Sequence, residues 1–257
     1  MPAAPLPPLL MGLALLIVAG AGVVRGFAGF GFSALCVAGL SLIVSPAVVI
    51  PPVFVLEVLA SVSLLRSAWR DIDWSWMSWL VLGNALCIPL GIAMLAWLPE
   101  QPLRVGIGAL LAVAALMLRS GTKLALAPTR GARLLTGLVS GWVNGLAAIG
   151  GIAVAVLLST SAMPAAALRA TLIGMFLFTD IWALGSAALI TWGTSAPTEL
   201  VGPDTLRWAL WLTPAMLLGI AIGQRMFSGV SPEAFRRRVL DLLTLVAVLV
   251  VARAAWG

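Results

Sequence analysis

An arginine, Arg25, an asparagine, Asn144, and two carboxylates stand inside long apolar stretches of this chain, where such groups are costly and are usually functional. Arg25 lies in residues 22–32, GVVRGFAGFGF, and Asn144 in residues 141–151, GWVNGLAAIGG. Glu57 lies within the apolar run 48–65, and Asp180 within 172–190. An arginine presents a planar, permanently charged donor fork that matches an oxyanion. Asparagine adds a neutral donor. A buried carboxyl is driven toward its protonated form, as a proton carrier requires. Together they suit the binding of a small anion, a sulfonate, sulfite or carboxylate, with the proton as a coupling ion.

Glycine surrounds both donors. Each glycine weakens a helix interior by roughly 1 kcal/mol relative to alanine, and backbone freed inside a membrane survives only where protein or a watery cavity satisfies it. The sequence therefore predicts non-helical breaks over residues 26–32 and 145–151, facing each other at the midplane. There the backbone can approach a ligand and helix N-termini can offer N–H groups to an anion. The candidate substrate-binding residues are Arg25, Gly26, Gly29, Gly31, Ser33, Asn144, Gly145, Gly150 and Gly151. Glu57, Asp180 and Arg169 are the candidate buried or coupling charges. Competing structural roles exist for each. The glycines would serve close helix packing, Arg25 would pair permanently with Glu57, and Asp180 would partner Arg169 or a polar network.

The surroundings of these groups follow from composition. Hydrophobic residues make up 62% of the 257 residues and charged ones 9%, against about 25% charged in a soluble domain. This is an all-α polytopic membrane protein, with room for at most about ten spans of ~20 residues and none for a soluble catalytic domain. The net charge of +6 reads as loop arginines obeying the positive-inside rule, not as a nucleic-acid surface; the expected partners are a small anion and the lipid bilayer. Cys36 and Cys87 lie in apolar runs and read as core residues. The chain has no histidine and no tyrosine, so hydrolytic or zinc chemistry lacks its usual parts. No enzyme activity, metal or cofactor is expected. The apolar N-terminus lacks a basic leader, and the sequence predicts that it is retained.

The chain also repeats itself. Gly22, Val24, Gly26, Ala28 and Gly31 align without a gap on Gly141, Val143, Gly145, Ala147 and Gly150, and Arg25 meets Asn144, an offset of 119 residues (145 − 26). Further on, Trp76, Trp79, Leu80, Gly91, Met94 and Arg104 align on Trp208, Trp211, Leu212, Gly223, Met226 and Arg236, an offset of 132 (208 − 76). In the first frame Asp180 falls at position 61, one helical turn from Glu57. The expected organisation is a tail over 1–8, a first repeat over 9–119, a connecting loop over 120–132 and a second repeat over 133–257. Apolar segments are expected at 9–24, 32–44, 48–65, 74–97 and 105–118, with tryptophans at both ends of the fourth. Loop 66–73 carries two arginines and its counterpart 191–204 none, whereas loop 98–104 carries one and its counterpart 225–238 four. Basic loops thus alternate between the halves, which predicts inverted repeats. Five segments per half, or three spans plus a re-entrant hairpin, both satisfy the inversion, and five is preferred. Both place the termini outside and the connecting loop inside.

A glycine-rich break after a first apolar segment, and a second one followed by Pro164 and Leu168-Arg169-Ala170-Thr171-Leu172, resemble the TauE/SafE (TSUP, sulfite exporter) family of membrane permeases. The resemblance covers nearly the whole chain. It departs from the family pattern at Gly150-Gly151-Ile152, where GGP is usual, and at the first break, where a glycine triplet is common. It implies a multi-pass inner-membrane secondary transporter that moves sulfite, sulfonates such as sulfoacetate, or carboxylates by alternating access. The alternative class is a scaffold or accessory membrane subunit without transport activity, which has no need of a buried arginine and two buried acids.

Overall fold

In the computed structural model, residues 7–119, 129–151, 154 and 163–226 are described. They form eight α-helices and a short 3-10 turn, with no strand among the described residues. The helices are α1 (Pro8–Ala28), α2 (Phe32–Leu40), α3 (Pro46–Ala68), α4 (Trp74–Trp97), α5 (Glu100–Arg119), α6 (Arg130–Ala147), α7 (Ala165–Gly193) and α8 (Pro203–Met226). Five of them, α1, α3, α4, α7 and α8, are long and apolar enough to cross a bilayer. The protein is an all-α polytopic membrane protein.

Local chemistry sets the helix starts. Pro8 and Pro46 sit in first turns, where the missing N–H would have been unpaired anyway. Asp73 accepts from Trp76 N at the start of α4, and Thr129 accepts from Ala132 N at the start of α6. Outward faces are apolar, with Leu86, Leu90, Leu189, Leu210 and Leu218 all exposed, as hydrocarbon surroundings favour. Trp74, Trp97 and Trp192 are exposed at helix ends, the belt position for amphipathic rings.

Packing joins the two predicted halves crosswise. Helix α1 lies along α8 and α6 lies along α4, while α3 packs on α7. A Cβ on Gly22 would fall 2.6 Å from Met216 O, and one on Gly141 would fall 2.6 Å from Asn84 O. One on Gly26 would collide with Ile220 O, and one on Gly145 with Ile88 O. These four contacts are the same two contacts displaced by the two repeat offsets.

That packing corrects the extent of the breaks. Where the sequence predicts a segment ending at residue 24, α1 runs on to Ala28; where it predicts irregular backbone from residue 145, α6 runs on to Ala147. Gly26 and Gly145 are helical because their loss of propensity is offset by a backbone approach that no larger residue allows. The first break is confined to residues 29–31. Gly29 and Gly31 have φ of +80° and +89°, a region open to glycine at little cost. Helix α2 has nine residues, about 13 Å at 1.5 Å per residue, too short to cross a bilayer. The second break begins at Ala148, φ 56°, one repeat offset after Gly29. Gly29 N–H donates to Arg25 O at 2.8 Å and Ala148 N–H to Asn144 O at 2.7 Å. Thr191, Trp192 and Gly193 extend α7 into what reads as loop, and Asp204 belongs to the first turn of α8. Most of the connecting loop, the stretch after the second break and the basic loop 225–238 lie outside the described residues, and with them the count of segments in the second half.

Candidate functional site

Arg25 occupies the last turn of α1, where a cation faces the negative end of the helix dipole. It is fully buried. Its Nη1 donates to Gly29 O at 2.7 Å, across the turn that the glycine break creates. Its Nη2 donates to Ser61 Oγ on α3 at 2.8 Å and lies 3.1 Å from Glu57 Oε2, one helical turn earlier on α3. The guanidinium carbon sits 4.5 Å from the centre of the Phe176 ring of α7, a cation–π contact.

Glu57 is as buried as its partner, at 1% exposure. Its Oε1 accepts from Ser33 N at 3.1 Å. Ser33 is the second residue of α2, so this N–H is one of the first-turn donors that have no partner within the helix. One carboxylate is thus held between a guanidinium and a helix N-terminus, the two features that most favour an oxyanion.

The second half builds a different arrangement on the same scaffold. Asn144, in the last turn of α6, donates from Nδ2 to Asp180 Oδ1 of α7 at 2.9 Å. Asp180 Oδ2 is buried with no hydrogen-bond partner among the described residues. Ser140 Oγ lies 3.0 Å from Gly150 O and 3.2 Å from Asn84 Oδ1 of α4, tying the second break to the helix behind it.

Helix α7 connects the two breaks. Arg169 Nη2 donates to Gly26 O at 2.8 Å, and a Cβ on Gly29 would fall 2.6 Å from Arg169 Cγ. Phe176 touches Arg25 on one side, and its ring leaves no room for a Cβ on Gly151 on the other. The sequence-predicted residues Arg25, Gly29, Ser33 and Glu57 therefore meet directly, as do Asn144 and Asp180. Gly26 contributes its carbonyl to Arg169, Gly150 its carbonyl to Ser140, and Gly151 the space for Phe176. Among the described residues a Cβ on Gly31 would meet only Val24 across its turn, and Gly145 faces the α4 backbone. Asp180 bonds to Asn144 and not to Arg169 in the described network. Ser61 and Phe176 escaped the sequence reading, although the 119-residue offset maps Ser61 onto Asp180 and Glu57 onto Phe176.

The sulfite exporter TauE/SafE family model matches residues 14–250, a span that takes in both breaks and every residue of this buried cluster. The chain belongs to the TauE/SafE family. No curated protein and no solved structure matches it. As a TauE/SafE protein with five helices among its described residues long and apolar enough to cross a bilayer, it is a multi-pass membrane transporter.

Proposed function

We propose that this TauE/SafE protein is an inner-membrane permease for small anions: sulfite, sulfonates such as sulfoacetate, or small carboxylates. It works by alternating access between two inverted repeats, residues 9–119 and 133–257. The reading rests on one observation: the Arg25 guanidinium and the Ser33 N–H at the start of α2 converge, fully buried, on a single carboxylate. A sulfonate or sulfite oxygen set matches the same donors, and the low-dielectric surroundings strengthen each contact. The crosswise helix contacts, displaced by the repeat offsets, support a two-fold relation between the halves.

Uptake into proteoliposomes, measured over a panel of sulfite, sulfonates and carboxylates with and without a pH gradient, tests this. Accumulation of at least one of these anions above protein-free vesicles is expected. Movement of none would leave the scaffold role.

The ion pair itself favours a second reading, in which Arg25 and Glu57 only hold α1 to α3. The two readings part on what happens when Arg25 is neutralised, as argued in the Discussion.

A further inference from the structure

The Glu57 carboxylate stands where a substrate anion would bind. It takes the charge of Arg25 through Oε2 and the first-turn N–H of α2 through Oε1, and the two donors flank the glycine break to which the permease reading assigns the substrate. We propose that Glu57 is a tethered stand-in for the substrate and the site of the coupling proton. The arriving anion displaces the Glu57 carboxylate from Arg25 and Ser33, and the displaced carboxylate takes up a proton. This rests on the permease reading and adds the residue that couples it.

Two anions cannot share one guanidinium and one N–H at contact distance without strong repulsion. Displaced, Glu57 stays on α3, where Val53 and Phe54 one turn before it and Ala60 one turn after it are apolar and fully buried. An ionised carboxylate stripped of its partners there is far costlier than a neutral acid. The step balances simply: one carboxylate and one proton from water give one carboxylic acid, while one monoanion takes its place on Arg25. A monoanion and its proton therefore enter together with no net charge moved. When the anion leaves, the proton leaves and Glu57 returns to Arg25, closing the empty site.

Glu57 is the acid in direct contact with Arg25, and it is what an arriving anion must displace. Of the groups that face it, helix α1 presents Arg25. Helix α2 presents Ser33 N–H and the buried thiol of Cys36, which feels the Glu57 charge. Helix α7 presents Asp180, whose Oδ1 accepts from Asn144 while its Oδ2 has no hydrogen-bond partner among the described residues, and Arg169, bonded to Gly26 O. The titratable groups of α8, Asp204, Arg207 and Arg225, are partly or fully exposed and do not reach the core. On α5, Glu100 and Arg104 pair with each other near the surface.

Calorimetry of ethanesulfonate binding to the purified full chain tests the assignment. The probe keeps one negative charge at every pH used, so any proton taken up belongs to the protein. In buffers of differing protonation heat, the wild type should take up about one proton per anion, with affinity rising about tenfold per pH unit of acidification while Glu57 is ionised. Glu57→Gln should bind about tenfold or more tightly at neutral pH and take up none. Glu57→Asp, which keeps the carboxylate if Glu57→Gln folds poorly, should still take up the proton, and so should Asp180→Asn. Proton uptake that survives in Glu57→Gln, disappears in Asp180→Asn, or is absent from a wild type that binds the anion overturns the role of Glu57 and leaves the permease reading intact. Wild-type and Glu57→Gln proteins that both fail to bind ethanesulfonate, sulfite and acetate would overturn the anion site itself.

Discussion

Asn144 donates to Asp180 across 2.9 Å, and one repeat earlier Arg25 donates to Ser61 across 2.8 Å. Both pairs span 36 residues, and each joins the last turn of a helix that ends at a left-handed cap to the spanning helix behind it. The contact is present at both breaks and its charge differs. The first half carries a cation facing a hydroxyl, with Glu57 one turn away. The second carries an amide facing a carboxylate, with the Phe176 ring in the place of Glu57. The buried arginine thereby stands at the first break alone of the two, which is where the permease reading seats the anion.

Neutralising Arg25 separates the two roles open to it. Arg25→Gln leaves the Glu57 carboxylate buried without its cation, a change expected to cost about 3–5 kcal/mol. Thermal unfolding in detergent should show a large fall, and adding Glu57→Gln should restore much of it. If the anion also uses Arg25, the restored double variant remains inactive in proteoliposomes. A double variant that transports at the wild-type rate would reduce Arg25 to a structural part.

Helix packing makes its own forecast. A Cβ at Gly22 meets Met216 O and the Gly219 backbone, whereas a Cβ at Gly20, two residues earlier, meets nothing within 4 Å. Gly22→Ala should push α1 away from α8 at a cost of about 1–3 kcal/mol. Gly20→Ala should be neutral or mildly stabilising, since it adds helix propensity and touches nothing. Equal effects of the two substitutions on the unfolding temperature would contradict the α1–α8 crossing.

The glycine pattern shows why some of this was legible and some was not. The repeat, the two breaks and the buried charges stand out because glycine, arginine and carboxylates are rare companions of apolar spans. The same letters do not reveal which glycine breaks a helix and which lets another helix approach. Gly26 and Gly29 look alike in the chain, and only the presence of Ile220 opposite one and of Arg169 opposite the other separates them. Phe176 and Ser61 carry no signal of their own in an apolar or hydroxyl-dotted helix. They become visible only when the repeat offset is carried through to the partners of Glu57 and Asp180.

The two helix caps differ in one respect that can be measured. Gly29 and Ala148 both adopt left-handed backbone, which costs a residue with a Cβ about 1–2 kcal/mol and glycine almost nothing. Ala148→Gly should therefore stabilise the protein by up to about 1 kcal/mol, less the entropy that glycine adds to the unfolded chain. Gly29→Ala should destabilise it by more, because its Cβ also runs into the Arg169 side chain. The ordering of the two unfolding temperatures about the wild type checks the cap geometry directly.

The predicted inversion of the two halves turns on which segments share an end of the molecule. Arg133 stacks on the Trp76 ring at 4.1 Å and reaches Ser75 Oγ at 3.2 Å, so the starts of α6 and α4 lie together. At the far end of α4, Arg104 donates to Ser41 O. Trp208, near the start of α8, lines a small recess with Val44 and Val48 and so belongs to that far end. Arg66, Arg70, Arg130 and Arg133 thus gather at one end, while Arg104 and Arg207 at the other are each paired with an acid. The positive-inside rule assigns the first end to the cytoplasm. In a background with Cys36 and Cys87 replaced by alanine, Thr194→Cys and Ser195→Cys should react with a membrane-impermeant maleimide on intact cells. Thr129→Cys, whose lost cap costs about 1 kcal/mol, should react only after permeabilisation. Labelling of all three from the same side would place the two loops on one face and remove the inversion. Exchange of the two patterns would keep the inversion and turn the protein over in the membrane.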